Sequence, residues 1–142
     1  MQHTALVAID PGPHTGLAVF VDGKLAYSMT IAVTQGQDPA HQFLQVHAIV
    51  NDLLFHTDAD VEVVVEDFKT TRPQGWPTYH TIQLIGWVRG VCFLLHVPCT
   101  PRLPAMRKAF LEEAQYLAKI PHEQDAIAHG LAWLARKERQ RL

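Results

Sequence analysis

Asp10 and Glu66 hold equivalent places in this sequence. Asp10 closes the apolar run Thr4 to Ile9 and precedes Pro11-Gly12, and Glu66 closes the β-branched run Asp60 to Val65. Both read as acids at the carboxyl ends of strands, where open α/β sheets put their ligands. If the two strands are neighbours, about 4.8 Å separates their backbones, and both carboxylates enter one crevice. Two uncompensated carboxylates that close repel. A divalent cation resolves the conflict, and a hard one such as Mg2+ takes oxygen ligands while keeping positions for water and phosphate.

Pro121-His122-Glu123-Gln124-Asp125 supplies the third group. His122 and Asp125 stand three apart at a helix start, so they share a face. They also lie where the helix dipole stabilises anions. Asp10, Glu66, His122 and Asp125 together form a set able to bind two metal ions about 4 Å apart, which clamps the attacking and leaving oxygens of a phosphodiester displacement. An imidazole at position 122 serves either as a metal ligand or as a base for the attacking water. Taken singly, each residue has an ordinary reading. Asp10 suits a turn, Glu66-Asp67 a solvated strand end, and His122 or Asp125 a helix-start charge or cap. His129, four residues after Asp125 on the same face, is a weaker candidate ligand.

The elements that must position these residues follow from periodicity. Thr4 to Ile9, Thr15 to Val21, Lys24 to Ile31, Asp60 to Val65 and Val97 to Thr100 read as strands, with Asp22-Gly23 as a two-residue hairpin turn. Pro39 to Phe55 carries Phe43, Val46, Ile49, Val50, Leu53 and Leu54 at helical spacing. Tyr79 to Leu95 is apolar nearly all round, as a buried or interface helix would be, and Gly86 and Gly90 permit close approach on one face. Pro104 to Leu117 and Pro121 to Leu134 read as the last two helices. The opening hairpins give antiparallel strands and the later crossovers parallel ones. The expected fold is an α/β, ribonuclease-H-like mixed five-stranded sheet with helices on both faces, in a single domain spanning 1–142.

Bulk composition is that of an ordinary globular chain, with 48% hydrophobic and 18% charged residues in 142. Cys92 and Cys99 form no CxxC and read as buried, reduced core residues. No apolar stretch reaches membrane-span length and no signal pattern opens the chain, so the cytoplasm is expected, or the host cytoplasm for a phage-encoded protein. The net charge of −2 gives no global basic footprint. Cations are instead grouped at Lys69 and Arg72, at Arg102, Arg107 and Lys108, and from Arg136 to Arg141. Any one group also fits a solvated surface.

Five segments in order resemble one family. Ala8-Ile9-Asp10-Pro11-Gly12 with Thr15-Gly16 is similar to the opening motif of RuvC-type Holliday-junction resolvases, and Val64-Val65-Glu66 with Phe68 to their second acidic motif. Gln83 to Val91 resembles their central helix with its Arg-Gly pair. Arg107-Lys108 falls where the family has a DNA-contacting lysine, and His122 to Ala128 resembles the C-terminal motif. The resemblance implies a compact, phage-like homodimeric endonuclease that uses Mg2+ or Mn2+, two per site, to cut a four-way DNA junction symmetrically. Asp10, Glu66 and Asp125 would be metal ligands and His122 a fourth catalytic residue. Phe68, Lys69, Arg72, Arg107 and Lys108 would contact the DNA, one aromatic acting as a wedge. Two departures stand out. Ala109 to Leu117 replaces the family's glycine-rich basic stretch, and Phe68 is offset by about one position from its aromatic wedge. Two other readings remain: a YqgF-like RNA-processing nuclease of the same fold, and a catalytically silent nucleic-acid-binding module.

Overall fold

The computed structural model describes residues 3–33, 38–67 and 75–142. Its elements run β1 (Thr4–Asp10), β2 (His14–Val21), β3 (Lys24–Ala32), α1 (Ala40–His56), β4 (Asp60–Glu66), α2 (Trp76–Leu94), β5 (Cys99–Arg102), a 3-10 segment (Pro104–Phe110), α3 (Leu111–Leu117) and α4 (Pro121–Arg141). The five strands form one sheet in the order β3-β2-β1-β4-β5. Pairing is antiparallel for β1 with β2 and β2 with β3, and parallel for β1 with β4 and β4 with β5. Asp22 (φ 50°) and Gly23 (φ 80°) turn the β2–β3 hairpin with both φ positive, as a twist-matched two-residue loop requires.

The expected mixed sheet with helices on both faces is what forms. One core cluster joins Val7, Ile9, Leu17, Val63 and Val65 to Val46, Val50 and Leu53 of α1 and Leu84 and Val88 of α2. The other joins Leu6, Ala8, Ala18, Phe20 and Val64 to Ala114 of α3 and Ala126, Ile127 and Ala128 of α4. Alternation along a strand sends successive side chains to opposite faces. Asp10 therefore follows Leu6 and Ala8 toward α4, and Glu66 follows Val64.

Some boundaries differ from the sequence reading. Pro104 to Leu117 is not one helix: a 3-10 segment holds Arg107 and Lys108, and only Leu111–Leu117 is α-helical. The last helix does not end at Leu134: the basic stretch beyond it forms the last turns of α4. In it Arg136 and Lys137 lie over the Trp133 ring, and Lys137 pairs with Glu62 at 2.6 Å. Arg102, grouped by sequence with Arg107 and Lys108, is buried with its guanidinium 5.2 Å from the Trp133 centroid. Cys92 is buried and Cys99 only partly so, both as free thiols. Among the described residues no helix is long and apolar enough to cross a membrane.

Helix α2 is less covered than its composition suggested. Leu84, Ile85, Val88 and Cys92 are buried, whereas Tyr79, Ile82, Trp87, Phe93 and Leu94 are exposed. No other part of the described chain approaches the positions a Cβ would take on Gly86 and Gly90. The close approach expected at these glycines is therefore not made within the described chain.

Candidate active site

Parallel pairing sets Ile9 beside Val65, which brings Asp10 and Glu66 level at the carboxyl ends of adjacent strands. Helix α4 crosses this end of the sheet on the side to which both carboxylates point. Its first turn sits tightly on β2, because Gly16 has no side chain: a Cβ there would lie 1.8 Å from the His122 carbonyl oxygen. Farther along, a Cβ on Gly130 would lie 2.2 Å from the Phe20 ring. Only glycine allows the helix this close at either point.

The helix is also tied by hydrogen bonds. Glu123, 8% exposed, accepts from the Ser28 hydroxyl at 2.6 Å and the Thr30 hydroxyl at 3.1 Å, fastening the start of α4 to β3. On the other face, the turn after Asp10 is held by Gln42 of α1. Its side-chain amide donates to the carbonyls of Gly12, Pro13 and Ile31 at 2.9, 3.1 and 2.7 Å. His80 Nε2 lies 2.5 Å from the Gln42 side-chain oxygen, so α2 joins the same brace. Sequence reasoning missed both Gln42 and Glu123. For Glu123 a signal existed, since Ser28 and Thr30 place two hydroxyls on one face of β3.

Four elements thus converge on one crevice. Asp10 is nearly buried, with its carboxyl next to that of Glu66. Burial, the shared hydrogen bond with Glu66, and the charges of Glu66 and Asp125 push the Asp10 carboxyl up to about 9, against the pull of Arg107. Burial acts to raise Glu66 too. The adjacent His129 and Asp10 side chains and the Arg107 charge outweigh it and hold Glu66 down at about 2. At neutral pH the pair without a cation therefore carries one proton between two carboxylates.

His122 Nδ1 lies 3.9 Å from Asp10 Oδ2, at the open side of the crevice, and its ring stacks on His14 at 5.5 Å. Arg107 reaches in from the 3-10 segment. Its Nη1 donates to Glu66 Oε1, and its Nε lies 3.2 Å from Asp125 Oδ1. His129 is 1% exposed, one turn beyond Asp125, with Nε2 3.3 Å from Glu66 Oε1. Neither of its ring nitrogens has a hydrogen-bond partner among the described residues.

The sequence-derived quartet of Asp10, Glu66, His122 and Asp125 is therefore gathered in one place. Arg107, read from sequence as a DNA contact, lies inside that cluster, whereas Lys108 beside it is exposed. Phe68, Lys69 and Arg72 lie outside the described residues.

The donors suit a divalent metal ion: three carboxylates, an imidazole at the mouth and a buried imidazole beside Glu66. As the side chains stand, no three His, Cys, Asp or Glu groups among the described residues are arranged to hold an ion jointly. The Arg107 guanidinium supplies the positive charge between Glu66 and Asp125 instead. Buried carboxylates in such a cluster need either a proton or a cation, and here they have one of each.

Comparison with protein-family models gives no match, and comparison with curated proteins gives none either. Among solved structures, the chain is similar to Thermus thermophilus RuvC in complex with a Holliday junction substrate. That likeness has 21% identity and a TM-score of 0.70, and covers 95% of this chain and 96% of that one. It is also similar to a Thermus thermophilus RuvC structure at 24% identity and a TM-score of 0.69, covering 95% of this chain and 97% of that one. From first strand to last helix, the chain has the RuvC-like form of the ribonuclease-H-like fold.

Proposed function

We propose that this chain is a metal-dependent endonuclease that resolves four-way DNA junctions by phosphodiester hydrolysis. One observation carries the reading: Asp10, Glu66 and Asp125 converge with His122 at the carboxyl end of β1 and β4, on a fold shared with a protein solved on a Holliday junction. Asp10, Glu66, Asp125 and His122 would hold Mg2+ or Mn2+, two per site. When bound, the ions supply positive charge to the phosphate and a water of lowered pKa.

The chain's own residues prepare the rest. The Asp10–Glu66 pair releases its shared proton as positive charge enters. Arg107, displaced from Glu66 and Asp125, is free to take a phosphate oxygen, and exposed Lys108 lies beside it for a second. Phe68, Lys69 and Arg72 follow Glu66 in the chain and add two cations and an aromatic ring for the branch. Tyr79, Ile82 and Phe93 of α2, with Gly86 and Gly90 between them, supply an apolar face for a two-fold homodimer. Such a dimer presents two sites to opposed strands of a two-fold symmetric junction.

The test is cleavage of a synthetic four-way junction, a linear duplex and a structured RNA, each with Mg2+ or Mn2+. Junction-selective, metal-dependent nicking that disappears in Asp10→Asn, Glu66→Gln and Asp125→Asn, with binding retained, supports the proposal. Preferential cutting of the RNA would make it an RNA-processing nuclease, and binding without cutting a silent module. Sedimentation that finds a monomer at micromolar concentration, with and without junction, would refute the dimer.

A further inference from the structure

We infer that His129 is an additional metal ligand of this site, and that it shifts the site's preference from Mg2+ toward Mn2+. The inference rests on the metal-dependent reading above and extends it to a residue outside the quartet.

His129 is in an unusual position for a buried histidine. Its side chain is 1% exposed, on the face of α4 that packs against the sheet. Buried imidazoles are ordinarily hydrogen-bonded, yet neither Nδ1 nor Nε2 has such a partner among the described residues. The nearest acid is Glu66, whose Oε1 lies 3.3 Å from Nε2 without forming an aligned hydrogen bond. That spacing is also compatible with coordination of one shared ion. Two donors that each stand about 2.1 Å from one ion, at roughly a right angle, lie about 3.0 Å apart. Nε2 and Oε1 are thus separated much as neighbouring ligands of a common cation are.

The helix keeps that nitrogen in place. His129 follows Asp125 by one turn and shares its face. The close seat of α4, fixed by Gly16 and Gly130, keeps His129 buried against the sheet. A buried nitrogen donor among carboxylates changes which ion is favoured. Mg2+ is hard, demands near-ideal octahedral oxygen geometry and keeps its waters. Transition metals accept imidazole more readily. With His129 and His122 both present, the donor set is softer than carboxylates alone would make it.

The experiment reads metal binding directly, without DNA or turnover. His14 and His122 are replaced together by Ala, which leaves His129 as the imidazole beside the carboxylates without altering position 129. Mn2+ is added, and pulsed electron paramagnetic resonance is recorded for directly coordinated nitrogen. A nitrogen coupling in this double variant is expected, and so is its loss on the further change His129→Leu. In the otherwise native chain, His129→Leu should weaken Mn2+ binding by about tenfold or more while changing Mg2+ binding less. Bound Mn2+ without nitrogen coupling in the double variant would overturn the assignment, as would a coupling that survives His129→Leu. Failure of the unaltered protein to bind Mn2+ at all would instead refute the metal-dependent reading itself.

Discussion

Gly16→Ala offers a sharp test of how the site is built, because it adds one methyl group without changing the side chain of any proposed ligand. The new Cβ would meet the His122 carbonyl oxygen at 1.8 Å and its carbon at 2.3 Å, against an ordinary contact of at least 3.4 Å. The oxygen contact is short by about 1.6 Å, and no side-chain rotation can relieve it, since both obstructing atoms are backbone. The first turn of α4 must retreat from β2 by more than about 1 Å, taking His122 and Asp125 with it while Asp10 and Glu66 stay on the sheet. Misplacement of this size typically costs about 100-fold in rate. Overpacking should also cost about 1–3 kcal/mol in stability. The rest of α4 remains anchored through Gly130 on Phe20 and the apolar contacts of Ala126 and Ile127. The variant should therefore fold, with a lower melting temperature. Single-turnover cleavage of a four-way junction at saturating Mn2+, with a thermal melt as the folding control, reads the effect. A folded Gly16→Ala protein that cuts within about threefold of the native rate would show that the seat of α4 does not govern the chemistry.

Three further outcomes follow from the same geometry. Arg107→Ala removes the guanidinium that competes for Glu66 and Asp125, so it should bind Mn2+ more tightly without DNA yet bind the junction more weakly. Calorimetry that shows unchanged or weaker Mn2+ binding would contradict the competition. Glu123→Ala leaves the Ser28 and Thr30 hydroxyls without their acceptor and should lower stability by about 1–3 kcal/mol; an unchanged urea midpoint would refute the anchoring role. Asp10 is raised from 3.8 to about 9 in the fold, so without metal its ionisation costs stability progressively as pH rises from about 4 toward 9. Glu66 has the opposite sign: it contributes stability above its ordinary 4.5, lost as pH falls toward 2. In EDTA, Asp10→Asn should therefore raise the melting temperature at pH 8 and change it little at pH 4. An equal shift at both values would show that Asp10 is not held protonated.

What the sequence disclosed, and what it left out, follows from how far each signal reaches. Asp10 and Glu66 were legible because the signal is local: each closes a strand-like apolar run, and two parallel strands align their ends. His122 and Asp125 were legible from helical spacing once the carboxyl end of the sheet was identified. Arg107 was not, because a guanidinium aimed at carboxylates and one aimed at DNA have the same local sequence; only the 3-10 path of Pro104–Phe110 turns it inward. Nor was the all-round apolarity of α2 enough to say which residues another element covers. Gln42 went unnoticed because a buried amide on an otherwise apolar helix face leaves no periodic trace. The ranking of the two histidines turned on depth, which spacing does not encode. His122 and His129 flank Asp125 on one face at three and four residues, yet the His122 side chain is 45% exposed and that of His129 is 1% exposed. The difference arises because α4 enters over the edge of the crevice and then runs down across the sheet, pressed against β2 by the missing side chains of Gly16 and Gly130. Those two glycines turn an unremarkable helical histidine into a buried nitrogen beside Glu66.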